Sequence, residues 1–349
     1  MKNAAAKIFW VFRVFLEMWD FSVGHALGLM ARTAPFVVFR AVVYFGIAAA
    51  LIVSTGAGAG VGYGVGAFGD QEFQAQSTAW GGIGGFGLSA GVLFFFRDWL
   101  LYIVKAGHIA VLVELMQGRN IPAGKAQIDH ARVVVAERFG TANALFGLDL
   151  LIKGVVAAIT GIVQGVLTIL PVPGLDRIMG IVSAYLRLAV GLIDEVILAD
   201  LIARNSQNPW SDAQRSLVLY GQNARPMLKN AAWLTIIVWG LSIMVFLFML
   251  APAAALVWAV PGEGSASSFV FAFVLAWAGK AALIEPFAIA CMMQVYFKVT
   301  KGQQPDPDWE DRLSRASAKF KELGAKAANW AGGQSMTGAR SESMRNKEA

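Results

Sequence analysis

The chain has 349 residues, 57% of them hydrophobic and only 15% charged, and its 29 Lys and Arg outnumber 23 Asp and Glu for a net charge of +6. Soluble domains average about 45–50% apolar and roughly 25% charged residues, so a water-soluble core does not account for this composition. A single cysteine, Cys291, excludes a disulfide framework, and the scattered His25, His108 and His130 offer no paired metal ligands, so no cofactor is expected.

The apolar excess is gathered into stretches that reach the ~20 residues needed to cross a hydrocarbon core of about 30 Å as a helix. The expected fold class is all-α: a polytopic membrane protein of about six transmembrane helices with cytoplasmic amphipathic helices. It divides into an N-terminal interfacial amphipathic helix over 1–34, a six-span transmembrane domain over 35–300, and a cytoplasmic charged helix and disordered tail over 301–349.

The apolar stretch from Ile8 to Met30 carries Arg13, Glu17 and Asp20 on one helical face and no small-residue cleavage site, which fits a helix in the interface rather than a signal peptide. Spans are expected over Phe36–Thr55, Ile83–Tyr102, Gly154–Leu170, Ile178–Leu201, Ala231–Leu250 and Ser268–Phe297. Between them, Pro122–Phe139 and Ser211–Leu228 read as amphipathic helices, the second opened by Asn208, Pro209 and Asp212. Trp309–Trp330 reads as a charged helix, and the stretch beyond Gly332 as disordered.

The placement of basic residues tests this topology. Of the connections on one side, 56–82, 171–177 and 251–267, the only Lys or Arg is Arg177, while the N-terminal segment, the other connections and the tail are rich in both. By the positive-inside rule, six spans with both termini cytoplasmic are expected. The positive charge is then topology, not a nucleic-acid footprint. The lack of a signal and of disulfides points to a bacterial inner membrane.

Glycine alternates from Gly56 through Gly66 and recurs from Gly81 to Gly91. On helices this gives small-xxx-small faces, such as Gly56, Gly60, Gly64 and Gly87, Gly91, suited to packing spans one and two as a hairpin with a partly irregular connection, or to a homo-oligomer contact. No phosphate loop is implied, since GxxxxGK[ST] is absent.

Ionisable residues deep in a bilayer are the sharper clue, because each is costly unless paired or hydrated. Span four carries Arg187, Asp194, Glu195 and Asp200, with Arg187 and Asp194 on one face. Span six carries Lys280 and the Glu285-Pro286 pair. Proline frees a backbone carbonyl, and broken helices are where many transporters bind substrate. In an α-helix Lys280 and Glu285 point about 140° apart, so Lys280 is expected to meet Asp194 or Glu195, leaving Glu285 to face a cavity. Arg40 and the Arg97-Asp98 pair lie near span ends and are expected to snorkel. The rival reading of all these charges is a structural network. No nucleophile beside a base stands out, so an enzyme is not expected; His108 reads as a hydrogen-bonded residue at a helix end.

The segment Tyr185 to Lys229, with Asp194-Glu195, Ser211-Asp212-Ala213, Leu219-Tyr220 and Pro226-Met227-Leu228-Lys229-Asn230, distantly resembles the C-terminal half of choline transporter-like membrane proteins. Arg138-Phe139-Gly140, Glu285-Pro286-Phe287 and Tyr296-Phe297 extend the resemblance over residues 100–300. The chain departs from that family in its fewer spans and in lacking a cysteine-rich external loop. The resemblance implies a helical transporter-like bundle and a small organic cation as substrate. A quaternary ammonium needs aromatic faces, and Trp277, Trp239 and Tyr185 lie in spans with Glu285 and Asp194. The function expected is small-solute transport along Arg187, Asp194, Glu195, Trp277, Lys280, Glu285 and Pro286. The alternative is a noncatalytic scaffold that self-associates through its Gly-rich hairpin.

Overall fold

The computed structural model describes residues 19–124, 126–139, 147–159, 192–204, 208–257 and 265–330, which are helical almost throughout and include no strand. In chain order the helices are α1 (Val23–Arg32), α2 (Ala34–Gly66), α3 (Gln71–Met116), α4 (Ala126–Phe139), α5 (147–159), α6 (Ile193–Arg204), α7 (Pro209–Gln222), α8 (Ala224–Val257), α9 (Ser265–Gly279), a π turn (Lys280–Ile284), α10 (Glu285–Val299), α11 (Pro307–Ala316) and α12 (318–330). Three segments are long and apolar enough to cross a membrane: Ala34–Gly66, Ala224–Leu256 and Phe269–Val299. They contain the first, fifth and nearly all of the sixth of the expected spans. Most of spans three and four, the N-terminal segment 1–18 and the tail beyond 330 lie outside the described residues.

The chain forms two compact units: a first of Met1–Ala26, Ile109–Thr235 and Ile289–Ala349, and a second of Leu27–His108 and Ile236–Ala288. Their surfaces differ in kind. Among the described residues every exposed large apolar side chain belongs to the second unit except Val133 and Leu150. Contiguous exposed apolar surface on this scale marks a face that water does not cover.

In the second unit, α2 and α3 form a hairpin joined only by Ala67–Asp70, where the Asp70 carboxylate caps α3 by accepting the Phe73 N–H. The expected irregular glycine-rich connection is instead helix up to Gly66. Side chains at Gly58, Gly62 and Gly85 would overlap the backbone carbonyls of Gly81, Ser77 and Ser54, so the two helices meet backbone to backbone. Tyr44, Ile47 and Ala48 of α2 then pack on Leu101 and on Ala278, Ala281 and Ala282.

The first unit is cored conventionally. All ten residues Ile193–Ile202 of α6 are buried, Asp194, Glu195 and Asp200 included. Asn208 caps α7 by accepting the Ser211 N–H, as its sequence predicts. The C-terminal charged helix is two helices, α11 and α12, broken at Ser317, with Leu313, Phe320 and Leu323 buried. Residues 19–22, which fall within the expected interfacial helix, are not helical; there the Asp20 N–H goes to Asn230 and the Ser22 N–H to Gln294.

Asp20 in return accepts from Asn230 at 2.9 Å and pairs with Lys298 and Lys229. The Asn230 hydrogen bond, aided by the two lysines and opposed by partial burial, holds its carboxyl below its ordinary 3.8. A depressed carboxylate contributes stability above its unfolded pKa and loses it as pH falls through the folded value. The thermal midpoint should therefore drop as pH falls below 3.8, and drop less in Asp20→Asn; parallel profiles would remove Asp20 from the account.

Candidate functional site

Within the second unit, side chains from three separate parts of the chain converge on Glu285. Arg40 Nη2 lies 3.4 Å from its carboxylate, Lys105 Nζ 3.6 Å and Lys280 Nζ 3.8 Å. Arg40 is 0% exposed, whereas the side chains of Lys105, Lys280 and Glu285 are 26%, 34% and 25% exposed. The centre thus has a dry side formed by a guanidinium and a wetter side formed by two ammonium groups.

The backbone explains why they meet. The Glu285 N–H bonds to the Lys280 carbonyl, five residues back, which opens a π turn inside the long apolar helix. In the same register the next donor, residue 286, would serve the Ala281 carbonyl, but proline has no N–H. Arg40 supplies the missing donor: its Nη2 bonds to the Ala281 oxygen at 2.5 Å. One buried guanidinium therefore satisfies both a carbonyl orphaned by Pro286 and the carboxylate beside it.

This corrects two expectations. Lys280 and Glu285 share a face, because a π turn brings residues five apart into line where an α-helix does not. Arg40 does not snorkel; it is the most buried member of the cluster. The side chains of Arg97 and Asp98 lie outside the description. Trp277 packs edge-on to Tyr44 at 5.5 Å, and Arg40 lies 5.5 Å over the same Tyr44 ring, so the aromatic pair backs the guanidinium. Trp239, by contrast, is 44% exposed on the apolar surface. Below the ion cluster, His108 stacks on Phe36 and bonds through Nε2 to Thr33 Oγ1 at 2.9 Å.

Asp194 and Glu195 belong to the first unit, in a different cluster. Lys153 bridges Asp149 at 2.5 Å and Asp194 at 3.6 Å, so Lys280 meets Glu285 and not these acids. Asp194 Oδ1 has no hydrogen-bond partner. Asp200 is committed to structure, accepting from Ser216, Arg204 and Tyr296. Arg187 and Tyr185 lie outside the described residues. Among the described residues no group of three or more His, Cys, Asp and Glu is placed to hold a metal.

The glycines divide. Gly58, Gly62 and Gly66 of α2 face α3, whereas a Cβ at Gly60, Gly64, Gly87 or Gly91 would meet nothing within 4 Å; Gly56 is half-buried. No family model, curated protein or solved structure matches the chain. Its function is therefore read from these side chains.

Proposed function

We propose that the chain is an integral membrane protein that moves a small charged solute through its second unit, with Glu285 as the counter-ion that a solute displaces or releases. The observation that carries this reading is a carboxylate shared by three cations at a π turn and proline inside an apolar helix. Ionisable groups within membrane helices are functional sites by default, and interrupted helices expose the backbone where transporters bind. The accompanying topology is six spans with both termini cytoplasmic, on the strength of the one-sided Lys and Arg distribution, and the host membrane proposed from the single cysteine is a bacterial inner membrane.

The resemblance to choline transporter-like proteins supports transport and implies an organic cation. Three cations converge on Glu285, so a small anion is the second candidate class of solute. Uptake into proteoliposomes under an imposed potential, with choline and with small anions as substrates, tests both. Glu285→Gln is expected to reduce uptake at least about tenfold while the protein inserts normally, a loss of about 1.4 kcal/mol or more. Undiminished uptake in that variant would sink the reading.

A second reading, a self-associating scaffold, has one observation in its favour: each helix of the hairpin carries an open pair of glycines on the side turned away from the other, Gly60 and Gly64 on α2 and Gly87 and Gly91 on α3. It predicts an oligomer and no flux.

A further inference from the structure

We propose that His108 is a pH-sensitive latch on the junction between α1 and α2, closed while its imidazole is neutral and opened when Nδ1 takes up a proton from the medium. This goes beyond the transport reading and does not depend on it, since the latch is tested without a solute.

The junction is one residue wide. α1 ends at Arg32, α2 begins at Ala34, and Thr33 between them departs from helical dihedrals at φ −101° and ψ 23°. Its hydroxyl oxygen, buried, lies 3.0 Å from the Leu29 carbonyl and 3.4 Å from that of Met30. A carbonyl oxygen only accepts, so the hydroxyl proton is directed to α1, and the same oxygen is left to accept from His108 Nε2, 2.9 Å away. A chain of donors thus runs from α3 through Thr33 to the last turn of α1. It assigns the tautomer, with the ring proton on Nε2 and a lone pair on Nδ1. Phe36, in the first turn of α2, completes the contact by stacking on the ring, the two planes 8° apart.

The other nitrogen makes this contact sensitive to protons. His108 is 1% exposed and its Nδ1 has no hydrogen-bond partner. A proton there would create a buried donor without an acceptor on a ring that has become charged, and both are costly away from water. The charged groups on the surrounding elements do not relieve it. They are Arg32 at the end of α1, Arg40 on α2, Lys105 on α3 itself, and Lys280 and Glu285 on the long apolar segment. Among these the carboxylate, Glu285, is already held by Arg40, Lys105 and Lys280.

His108 lies beyond Tyr102, where the second expected span ends. Burial, aided by the positive charge of Arg40, holds its imidazole well below the ordinary 6.5. A base depressed in the closed state is neutral there and charges on release. The closed junction is therefore fully stable above 6.5 and weakens as pH falls below it, well above the range in which Asp20 acts.

Hydrogen exchange over residues 27–37 tests the latch, comparing the full-length native chain with His108→Gln in non-ionic micelles at matched pH, which cancels the intrinsic pH dependence of exchange. The ratio of native to variant rates should be constant above 6.5 and rise below it by up to about tenfold per pH unit, the limit for one proton. A ratio that stays constant throughout overturns the proposal. A second measurement needs no folded variant: side-chain nitrogen NMR of histidine-labelled native protein should show His108 as the neutral Nε2–H form, unchanged as pH is lowered through 6.5. An Nδ1–H tautomer, or protonation centred on 6.5, overturns it equally.

Discussion

Arg40→Leu is expected to destabilise the second unit by about 3–5 kcal/mol, the range for removing one partner of a buried ion pair. The loss has two parts: Glu285 is left with the two partly exposed lysines, and the Ala281 carbonyl is left without a donor. The second part can be isolated. In a Pro286→Ala background the new N–H at position 286 can serve the carbonyl in Arg40's place. There the same substitution should cost less, by about 1–3 kcal/mol, the cost of an unsatisfied buried acceptor. Equilibrium unfolding of the four proteins in mixed micelles gives the coupling as a double-mutant cycle. Additive effects would mean that Arg40 does not compensate for Pro286. Arg40→Lys should fall between the native chain and Arg40→Leu, because an ammonium group lacks the planar fork that reaches two acceptors at once.

The same two residues define what could be read from the sequence. Glu285-Pro286 within an apolar run was enough to mark the break, because a missing N–H must leave a carbonyl to be satisfied elsewhere. What satisfies it was not legible. Arg40 lies 241 residues from Ala281 along the chain. Near a span end, an arginine that snorkels and one that turns inward have the same local sequence. The π turn was hidden for a related reason: nothing in Lys-Ala-Ala-Leu-Ile departs from α-helical propensity. A regular α-helix therefore gives the wrong angle between Lys280 and Glu285. Lys105 is not legible as a site residue either, since a lysine just past a span satisfies the positive-inside rule whether or not it also faces a carboxylate.

Helix class and the three long apolar segments were legible because length and hydropathy suffice for them. The division into two units was not, because the N-terminal segment of the first unit is separated in sequence from the rest of it, and neither unit follows chain order. Asp194 and Glu195 illustrate the consequence. They share a sequence neighbourhood with apolar residues suited to a span, yet Asp194 pairs with Lys153 of α5, and both helices belong to the first unit.

The glycine repeat presents the remaining ambiguity, and the expected result that resolves it is a contrast between two adjacent stripes. Alternating glycine from Gly56 to Gly66 supplies two small-residue faces at four-residue spacing, and the sequence of α2 alone does not choose between them. The choice is made by α3, whose Ser77, Gly81 and Gly85 meet Gly62, Gly58 and Ser54. Gly62→Leu places a side chain where the Ser77 carbonyl already lies, and because the obstacle is backbone no rotamer change relieves it. A cost of at least about 3 kcal/mol is expected, the upper end of the usual range for overpacking, with the hairpin forced apart. A Cβ at Gly60 meets nothing within 4 Å, and Gly60→Leu should change stability by less than about 0.5 kcal/mol. Unfolding in micelles measures both, and cross-linking or light scattering of the same samples reports association. A Gly60→Leu protein that is stable but dissociated assigns the open stripe to contact between copies and favours the scaffold. If it is stable and its state of association unchanged, the repeat serves the hairpin through Gly58 and Gly62 alone, and the case for function returns to Glu285 and the three cations around it.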